Sequence, residues 1–291
     1  MLIVDTPYNT TAKVSALQKN NIGTVIRYYN FSNSKKFPDK CLTLIEAQSI
    51  CEAGMNIAVV FQQNQNSVGD FSDYQGYEAG LKAYRYAMND IGQPKGSAIY
   101  FSVDFDADDD QIHGHIVPYF QGVQRAFNQL SNGQPDYRVG VYGSGATGST
   151  LFQLQLCSLI WLSMSAKFNG TQNALAKGTY NLLQRAPSAI LCGLGIDYNQ
   201  SNPQQSDFGA FTLAHAAPEP LNVHLPFNHE VISRSDLMLR GGPGTSYSVV
   251  DRLKSGQQVV ATAVNQEWSS IDLHGDGLID GFAASAYLKE L

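Results

Sequence analysis

From the N-terminus to about residue 200, short apolar runs rich in Val, Ile and aromatic residues alternate with longer stretches of helical periodicity. The runs predict strands at Leu2–Asp5, Thr24–Tyr29, Asn56–Gln62, Ala98–Asp106, Arg138–Gly143, Ser158–Ser163, Asn181–Gln184 and Ala189–Asp197. Between them, Thr43-Leu-Ile-Glu46 has the form of a capping box opening a helix to Glu52, with Gly54 as its stop. Ala79, Ala83 and Ala87 recur every four residues and make a small-residue face suited to lying flat on a sheet. Ile112, Ile116, Tyr119, Val123, Phe127 and Leu130 form one apolar stripe. These alternations predict an α/β fold, a closed (β/α)8 TIM-like barrel, with a doubly wound open sheet as the runner-up. The first strand–helix turn, Asp5-Thr-Pro-Tyr-Asn9, lacks the glycine fingerprint of a dinucleotide site.

The strand ends carry the chemistry. In the fourth strand Ile99, Phe101, Val103 and Phe105 share an apolar face expected to meet the helices. Tyr100, Ser102, Asp104 and Asp106 share the other face, expected to line the barrel mouth. Buried carboxylates are costly without partners, so a core strand ending in two of them points to function. Other strands end similarly: Asp5 on the first, Arg27 and Tyr28 on the second, Gln62 on the third, Tyr142 on the fifth. Trp161 and Ser163 follow on the sixth, Gln184 on the seventh and Asp197 on the eighth, with Gly193 and Gly195 clearing space below it. Barrel active sites are assembled from such C-terminal ends.

Composition narrows the classes. A chain of 291 residues is one large or two ordinary domains, and its net charge of −6 with no Lys/Arg cluster argues against a nucleic-acid partner. No apolar run is long enough for a membrane span. Cys41, Cys51, Cys157 and Cys192 lack zinc-ligand spacing, and the last three read as small core residues. No metal or other cofactor is expected. Asp104-x-Asp106-x-Asp108 lacks the glycine of a calcium loop and meets His115 where Glu should close it; Asp272-x-His274-x-Asp276-Gly277 fails at its end. Asp108 to Asp110 read as helix caps, and His113 and His115, two apart, as surface residues. Glu78 reads as solvent-facing, with the barrel mouth as the alternative, and Trp268 as core of the second module. Met1-Leu-Ile-Val-Asp5 has no basic region or cleavage site, so the expectation is synthesis in the cytoplasm and delivery to the periplasm or wall by a non-Sec route.

The domain expectation is a barrel over 1–215, a linker over 216–227 around Ala216-Ala-Pro-Glu-Pro220, and a small β module over 228–291. Linker-like composition begins at Ser201. The module resembles bacterial SH3 domains through Leu237-Met-Leu-Arg-Gly-Gly-Pro-Gly-Thr-Ser-Tyr247, Leu253-Lys-x-Gly256, Val259-Val260, Trp268 and Gly281-Phe-x-x-Ser285-x-Tyr287-Leu288. That resemblance implies a cell-wall peptide as its ligand.

Residues 2–200 resemble the bacterial glycoside-hydrolase-like domain of exported mycobacterial and actinobacterial proteins. Its marks are Arg27-Tyr-Tyr, Leu42-Thr-x-x-Glu46-Ala, Phe61-Gln62, Gly76-x-x-Ala79, Gly92-x-Pro94-x-Gly96, Ile99-Tyr-Phe-Ser-Val-Asp-Phe-Asp106, Arg138-Val-Gly-Val-Tyr-Gly143 and Gly195-Ile-Asp197. That family is similar to the family 25 glycoside hydrolases, the Chalaropsis-type lysozymes. The resemblance implies catalytic Asp5, Asp104, Asp106 and Asp197, with Asp106 standing where the lysozymes carry their general-acid Glu. Glycoside hydrolysis needs a proton donor and a second carboxylate. The expected roles are Asp106 as acid, Asp104 as stabilising carboxylate, and Asp5 and Asp197 positioning substrate or water. Arg27, Tyr28, Gln62, Tyr142, Trp161 and Gln184 are the expected substrate contacts.

The leading expectation is therefore a muramidase-like enzyme acting on peptidoglycan glycan strands and tethered to the wall by its small module. A phage lysis enzyme and an effector paired with an immunity protein are the two settings. The alternatives are a catalytically degenerate wall-binding protein and a cytoplasmic hydrolase of another sugar polymer.

Overall fold

The computed structural model describes residues 1–213, 225–247, 249–275 and 279–291, in two compact units spanning Met1–Ala217 and Pro218–Leu291. The first unit runs β1 (Leu2–Asp5), α1 (Val14–Lys19), β2 (Ile22–Tyr29), α2 (Leu44–Glu52), β3 (Asn56–Phe61) and α3 (Asp73–Arg85). It continues with β4 (Ala98–Ser102), a turn α4 (Asp109–Gln111) that leads through Ile112–Ile116 into α5 (Val117–Leu130), β5 (Arg138–Gly143) and α6 (Gly145–Gln153). β6 (Leu159–Leu162), α7 (Thr171–Lys177), β7 (Leu182–Leu191) and β8 (Leu194–Ser201) complete it. The eight strands close a barrel in chain order.

Strands β1 to β7 pair in parallel, but β8 runs antiparallel to both β7 and β1. This corrects the expectation of eight strand–helix repeats. The expected strand Ala189–Asp197 is cut by Cys192 and Gly193, which both have positive φ (54° and 81°). A two-residue turn of that kind makes a hairpin, and it leaves no length for the crossover a parallel strand would need. Leu194 and Ile196 on the hairpin join the outer apolar layer, where an eighth helix would otherwise lie. Cys192 thus sits half-buried in a turn rather than in the core.

The period-two reading of β4 holds within the strand. Ile99, Phe101 and Val103 belong to the layer beneath the helices, whereas Ala98 and Tyr100 belong to the barrel interior with Ile3, Val60, Tyr142, Trp161 and Leu182. The helical stripes are also as read. Ala79, Ala83 and Ala87 are buried, and so are Ile112, Ile116, Tyr119, Val123 and Phe127. Helices α3 and α5 touch through glycine: a Cβ on Gly76 would lie 1.8 Å from the Tyr119 carbonyl oxygen, and one on Gly122 would lie 2.1 Å from that of Asp73.

Residues 202–213, linker-like in composition, instead floor the barrel. Ile57 and Phe211 exchange backbone hydrogen bonds of 2.8 and 2.7 Å, Ala98 N–H donates to the Gly209 carbonyl at 3.0 Å, and the Tyr100 hydroxyl donates to the Phe208 carbonyl at 2.9 Å. Of the expected linker 216–227, residues 216–224 lie outside the described residues.

Arg27 is a structural residue, not the substrate contact expected. It is fully buried, its Nε lies 2.8 Å from Glu46 Oε1, and its remaining nitrogens donate to Glu46 Oε2 and to the Thr6 and Asp39 carbonyls. Glu46 accordingly forms only half a capping box. Its N–H donates to Thr43 Oγ1, while its carboxylate also accepts from Thr10 and Asn9. The pair ties β2, α2 and the β1–α1 turn together beneath the barrel mouth.

The second unit is an antiparallel sheet of seven strands in the order β11-β10-β14-β13-β12-β9-β15. They span β9 (His229–Val231), β10 (Leu237–Arg240), β11 (Val249–Leu253), β12 (Gln258–Ala263), β13 (Trp268–Asp272), β14 (Gly281–Ala284) and β15 (Leu288–Glu290). Val231, Leu239, Leu253, Val259, Ile271 and Ala283 make its core, and Trp268 is buried.

Removing one partner of a buried ion pair strands the other charge. Glu46→Ala is therefore expected to destabilise the first unit by about 3–5 kcal/mol in urea unfolding.

Candidate active site

The C-terminal ends of β2 to β6, together with β7 and β8, surround a pocket of about 310 Å³ lined by Tyr28, Val60, Gln62, Ser102, Asp104, Tyr142, Trp161, Met164, Ser165, Gln184 and Asp197. Seven of the expected site residues therefore share one cavity. Asp5 lies at its edge, 2% exposed and directly across the strand pair from Asp197. Asp5 Oδ2 accepts from Asn199 Nδ2 at 2.7 Å and Gln184 Nε2 at 3.0 Å, and its Oδ1 faces the Tyr28 hydroxyl at 3.3 Å. Gln184 also reaches Asp197 Oδ2 at 3.3 Å and accepts from the Tyr142 hydroxyl at 2.8 Å. Asn199 accepts from Trp161 Nε1 at 2.8 Å. Asp5 is thus the centre of a polar network spanning β1, β2, β5, β6, β7 and β8.

The carboxylates have different surroundings. Burial pushes the Asp5 pKa up to about 7 against the pull of its hydrogen-bond donors, and the facing Asp197 adds to the rise. Asp104 stands at the exposed rim beyond the end of β4, with Gln62 Nε2 3.2 Å from its Oδ2. Desolvation raises its pKa too, opposed by Gln62 and Lys40 and helped by Asp197. Asp197 keeps one oxygen, Oδ1, buried with no hydrogen-bond partner in the protein. Ser102 Oγ, on the pocket wall, and Ser163 Oγ, at the end of β6, are likewise unpartnered. Unsatisfied buried polar atoms are rare, and two of these line the same cavity.

Asp106 is not brought into this cluster. The chain leaves strand geometry at Ser102, so alternation no longer sets which way side chains point. Phe105 packs on Phe71 with ring centroids 5.7 Å apart, and Asp106 turns outward to accept the Asn169 backbone N–H at 2.7 Å. The expected general acid instead pins the β4–α4 turn to the β6–α7 loop. Asp108 caps α4 as read, and His113 and His115 are exposed. Glu78 is half-buried on α3 beside a separate hollow with Phe31 and Tyr74, outside the pocket. Trp161 is 1% exposed, so it forms the pocket wall rather than an open stacking face.

Among the contributors not expected are Met164 and Ser165, which line the pocket just past β6, and Asn199 and Lys40. Asn199 lies two residues beyond Asp197 on the same strand face, and alternation would have found it had the strand been extended to Ser201. Lys40 sits in the β2–α2 connection, where no periodicity marks it; its Nζ lies 4.6 Å from the Tyr28 ring centroid.

A family model described as Rv2525c-like, glycoside hydrolase-like domain matches residues 15–200. The chain belongs to this family. Among curated proteins of Bacillus subtilis (strain 168), the uncharacterized protein YbfG is 35% identical over 138 residues, 46% of this chain and 19% of the relative. The uncharacterized protein FadG is 27% identical over 128 residues, 43% of this chain and 21% of the relative. The matched segment thus covers about a fifth of each curated relative's length. The Mycobacterium tuberculosis Tat-secreted protein Rv2525c, solved in complex with L-tartrate, aligns with a TM-score of 0.56 at 23% identity, over 72% of this chain and 98% of that one. An uncharacterized B. stearothermophilus protein aligns with a TM-score of 0.51 at 17% identity, over 72% of this chain and all of the other. Both share the fold.

In this glycoside hydrolase-like barrel the Asp5 network carries a pH signature. Asp5 is ionised above about pH 4 in the unfolded chain but only above about 7 when folded, so its contribution to stability falls as pH rises between those values and stays low above. Asp5→Asn keeps an acceptor for Asn199 and Gln184 without the charge. It is expected to be more stable than the wild type at pH 8, by on the order of 4 kcal/mol, and to lose that advantage at pH 4. Denaturant midpoints at the two pH values measure it.

Proposed function

We propose that the barrel is a peptidoglycan-directed, muramidase-like glycoside hydrolase. The observation that carries this reading is the convergence of Asp104 and Asp197 on one pocket with Asp5 beneath them, each in a different electrostatic setting. A proton donor and a second carboxyl group facing the same pocket are what acid-assisted glycoside cleavage needs. Asp104, raised by desolvation and open to the rim, takes the role of proton donor to the leaving oxygen. Asp197, with its free Oδ1 in the pocket, faces the sugar cation or the attacking water. Asp5 fixes Gln184 and Asn199 beneath it. Tyr28, Gln62, Ser102, Tyr142 and Gln184 supply ring contacts and hydroxyl partners.

The small β module fits an SH3-like wall tether, which raises effective substrate concentration without new catalytic contacts. Delivery by a non-Sec route fits the same reading. Among the described residues no helix is long and apolar enough to cross a membrane, and the structurally similar Rv2525c is a Tat-secreted protein. A phage lysis enzyme and an effector held in check by an immunity protein remain the two settings.

One observation favours a second reading, a degenerate wall-binding barrel. Asp106, where the lysozymes hold their acid, is consumed by Asn169.

Purified peptidoglycan separates the two. Wild type is expected to release muropeptides with new reducing ends. Asp104→Asn and Asp197→Asn should each lower the rate by about 10²–10⁴, and Asp106→Asn should keep it within a few-fold. No release by wild type at any pH from about 4 to 8 would leave only the binder. For the tether, the full chain is expected to sediment with insoluble wall while a chain ending at Leu213 stays in the supernatant; equal sedimentation of both removes that role.

A further inference from the structure

We infer that Lys40 is a positioning residue for Asp104, acting through the Gln62 side chain. The inference rests on the reading of Asp104 as the pocket's proton donor. Lys40 Nζ donates to the Gln62 carbonyl oxygen at 2.8 Å and to Gln62 Oε1 at 3.3 Å. Gln62 Nε2 in turn donates to Asp104 Oδ2 at 3.2 Å. An ammonium group has only donors, so the amide atom that meets it must be the oxygen. The amide NH2 is then forced towards Asp104. It occupies Oδ2 and leaves Oδ1 to the substrate side.

The two ends of a primary amide differ little in shape, so Gln62 without Lys40 can turn half a revolution. Its oxygen would then face Asp104 and accept from the protonated acid. Lys40 therefore decides which protonation state of Asp104 the amide favours. The same ammonium sits over the Tyr28 ring, whose hydroxyl meets Asp5. It thus abuts residues that contact two of the three acids.

The charged and titratable groups around this chain of contacts are few. Asp104, Cys41 and Arg27 act on Lys40, and Lys40 and Asp197 act on Asp104. Burial brings the Lys40 pKa down to about 8, with Asp104 opposing the drop. Above that pH the amine gains a lone pair, can accept as well as donate, and no longer dictates the orientation of the amide.

The test uses the full chain in three forms: wild type, Lys40→Met, which keeps the aliphatic stem, and Lys40→Arg, which keeps a donor-only cation. Carboxyl carbon NMR follows the Asp104 titration directly. Lys40→Met is expected to raise the Asp104 midpoint and Lys40→Arg to hold it near the wild-type value. An unmoved midpoint in Lys40→Met overturns the inference whether or not the chain cuts peptidoglycan. In muropeptide release the alkaline limb should follow the Asp104 midpoint, because a proton donor fails once it is ionised. Lys40→Met should therefore carry that limb to higher pH, and Lys40→Arg should leave it in place. A limb that stays put in Lys40→Met while the midpoint moves overturns the role in turnover. If no form releases muropeptides but the midpoint moves, the positioning role stands and the hydrolase reading alone falls.

Discussion

The architecture of the mouth depends on how one buried carboxylate, Asp5, is satisfied. A carboxyl group 2% exposed at the end of β1 must find donors inside the protein. It finds them on the two strands that close the barrel: Gln184 on β7 and Asn199 on β8 both donate to its Oδ2. These contacts cross the seam where the parallel sheet meets its antiparallel strand. They also freeze both amides, and each amide passes its orientation on. Gln184 accepts from Tyr142, and Asn199 accepts from Trp161. The pocket walls are therefore set from below by Asp5.

The antiparallel β8 makes this arrangement possible. In register with β1, it brings Asp197 directly opposite Asp5 and Asn199 opposite Ile3, two positions on one face. A parallel eighth strand would have reached the mouth from beneath, with only its last residues at the rim. Running the other way, β8 enters at the rim and carries both residues across the pocket before it descends to the floor formed by residues 202–213. Gly195 belongs to the same construction: its carbonyl accepts from Thr6 Oγ1 at 2.7 Å, and a Cβ there would meet the Tyr8 ring at 3.2 Å.

Much of this was legible in the sequence because strand alternation is a short-range rule. It placed Tyr100 and Ser102 inside and Ile99 and Phe101 outside, and it drew Asp5, Asp104 and Asp197 to one end of the barrel. It failed where the chain stops being a strand. Extending β4 by period two to Asp106 assumed geometry that ends at Ser102, and the run Ala189–Asp197 hid a turn because Cys192 is not a residue that announces positive φ. Arg27 misled for another reason. It was grouped with Tyr28 at the strand end, but adjacent strand residues face opposite ways, and a partner 19 positions along, Glu46, seals Arg27 away from the pocket. Lys40 had no local signal at all, since a loop lysine acquires meaning only from what it lands on.

The electrostatics of the pocket can be carried one step further. Three carboxyl groups of one sign share this end of the barrel, and full ionisation of all three would set them against one another in a poorly solvated space. Burial settles the matter by leaving the proton on Asp5 up to about pH 7. That proton has one place to sit. Oδ2 is filled by two amide donors, so it must lie on Oδ1, towards the Tyr28 oxygen 3.3 Å away. Tyr28, whose hydroxyl donates to Oδ1 once Asp5 is ionised, lines the pocket. Asp197 then stands beside a neutral neighbour, with its Oδ1 buried in the pocket wall and unpartnered. The resulting surface offers a hydroxyl donor, an orphan carboxylate oxygen and serine hydroxyls. A neutral polyhydroxylated ring can satisfy these groups together, whereas an anionic ligand would meet two acidic side chains, with Lys40 the cation that acts on Asp104.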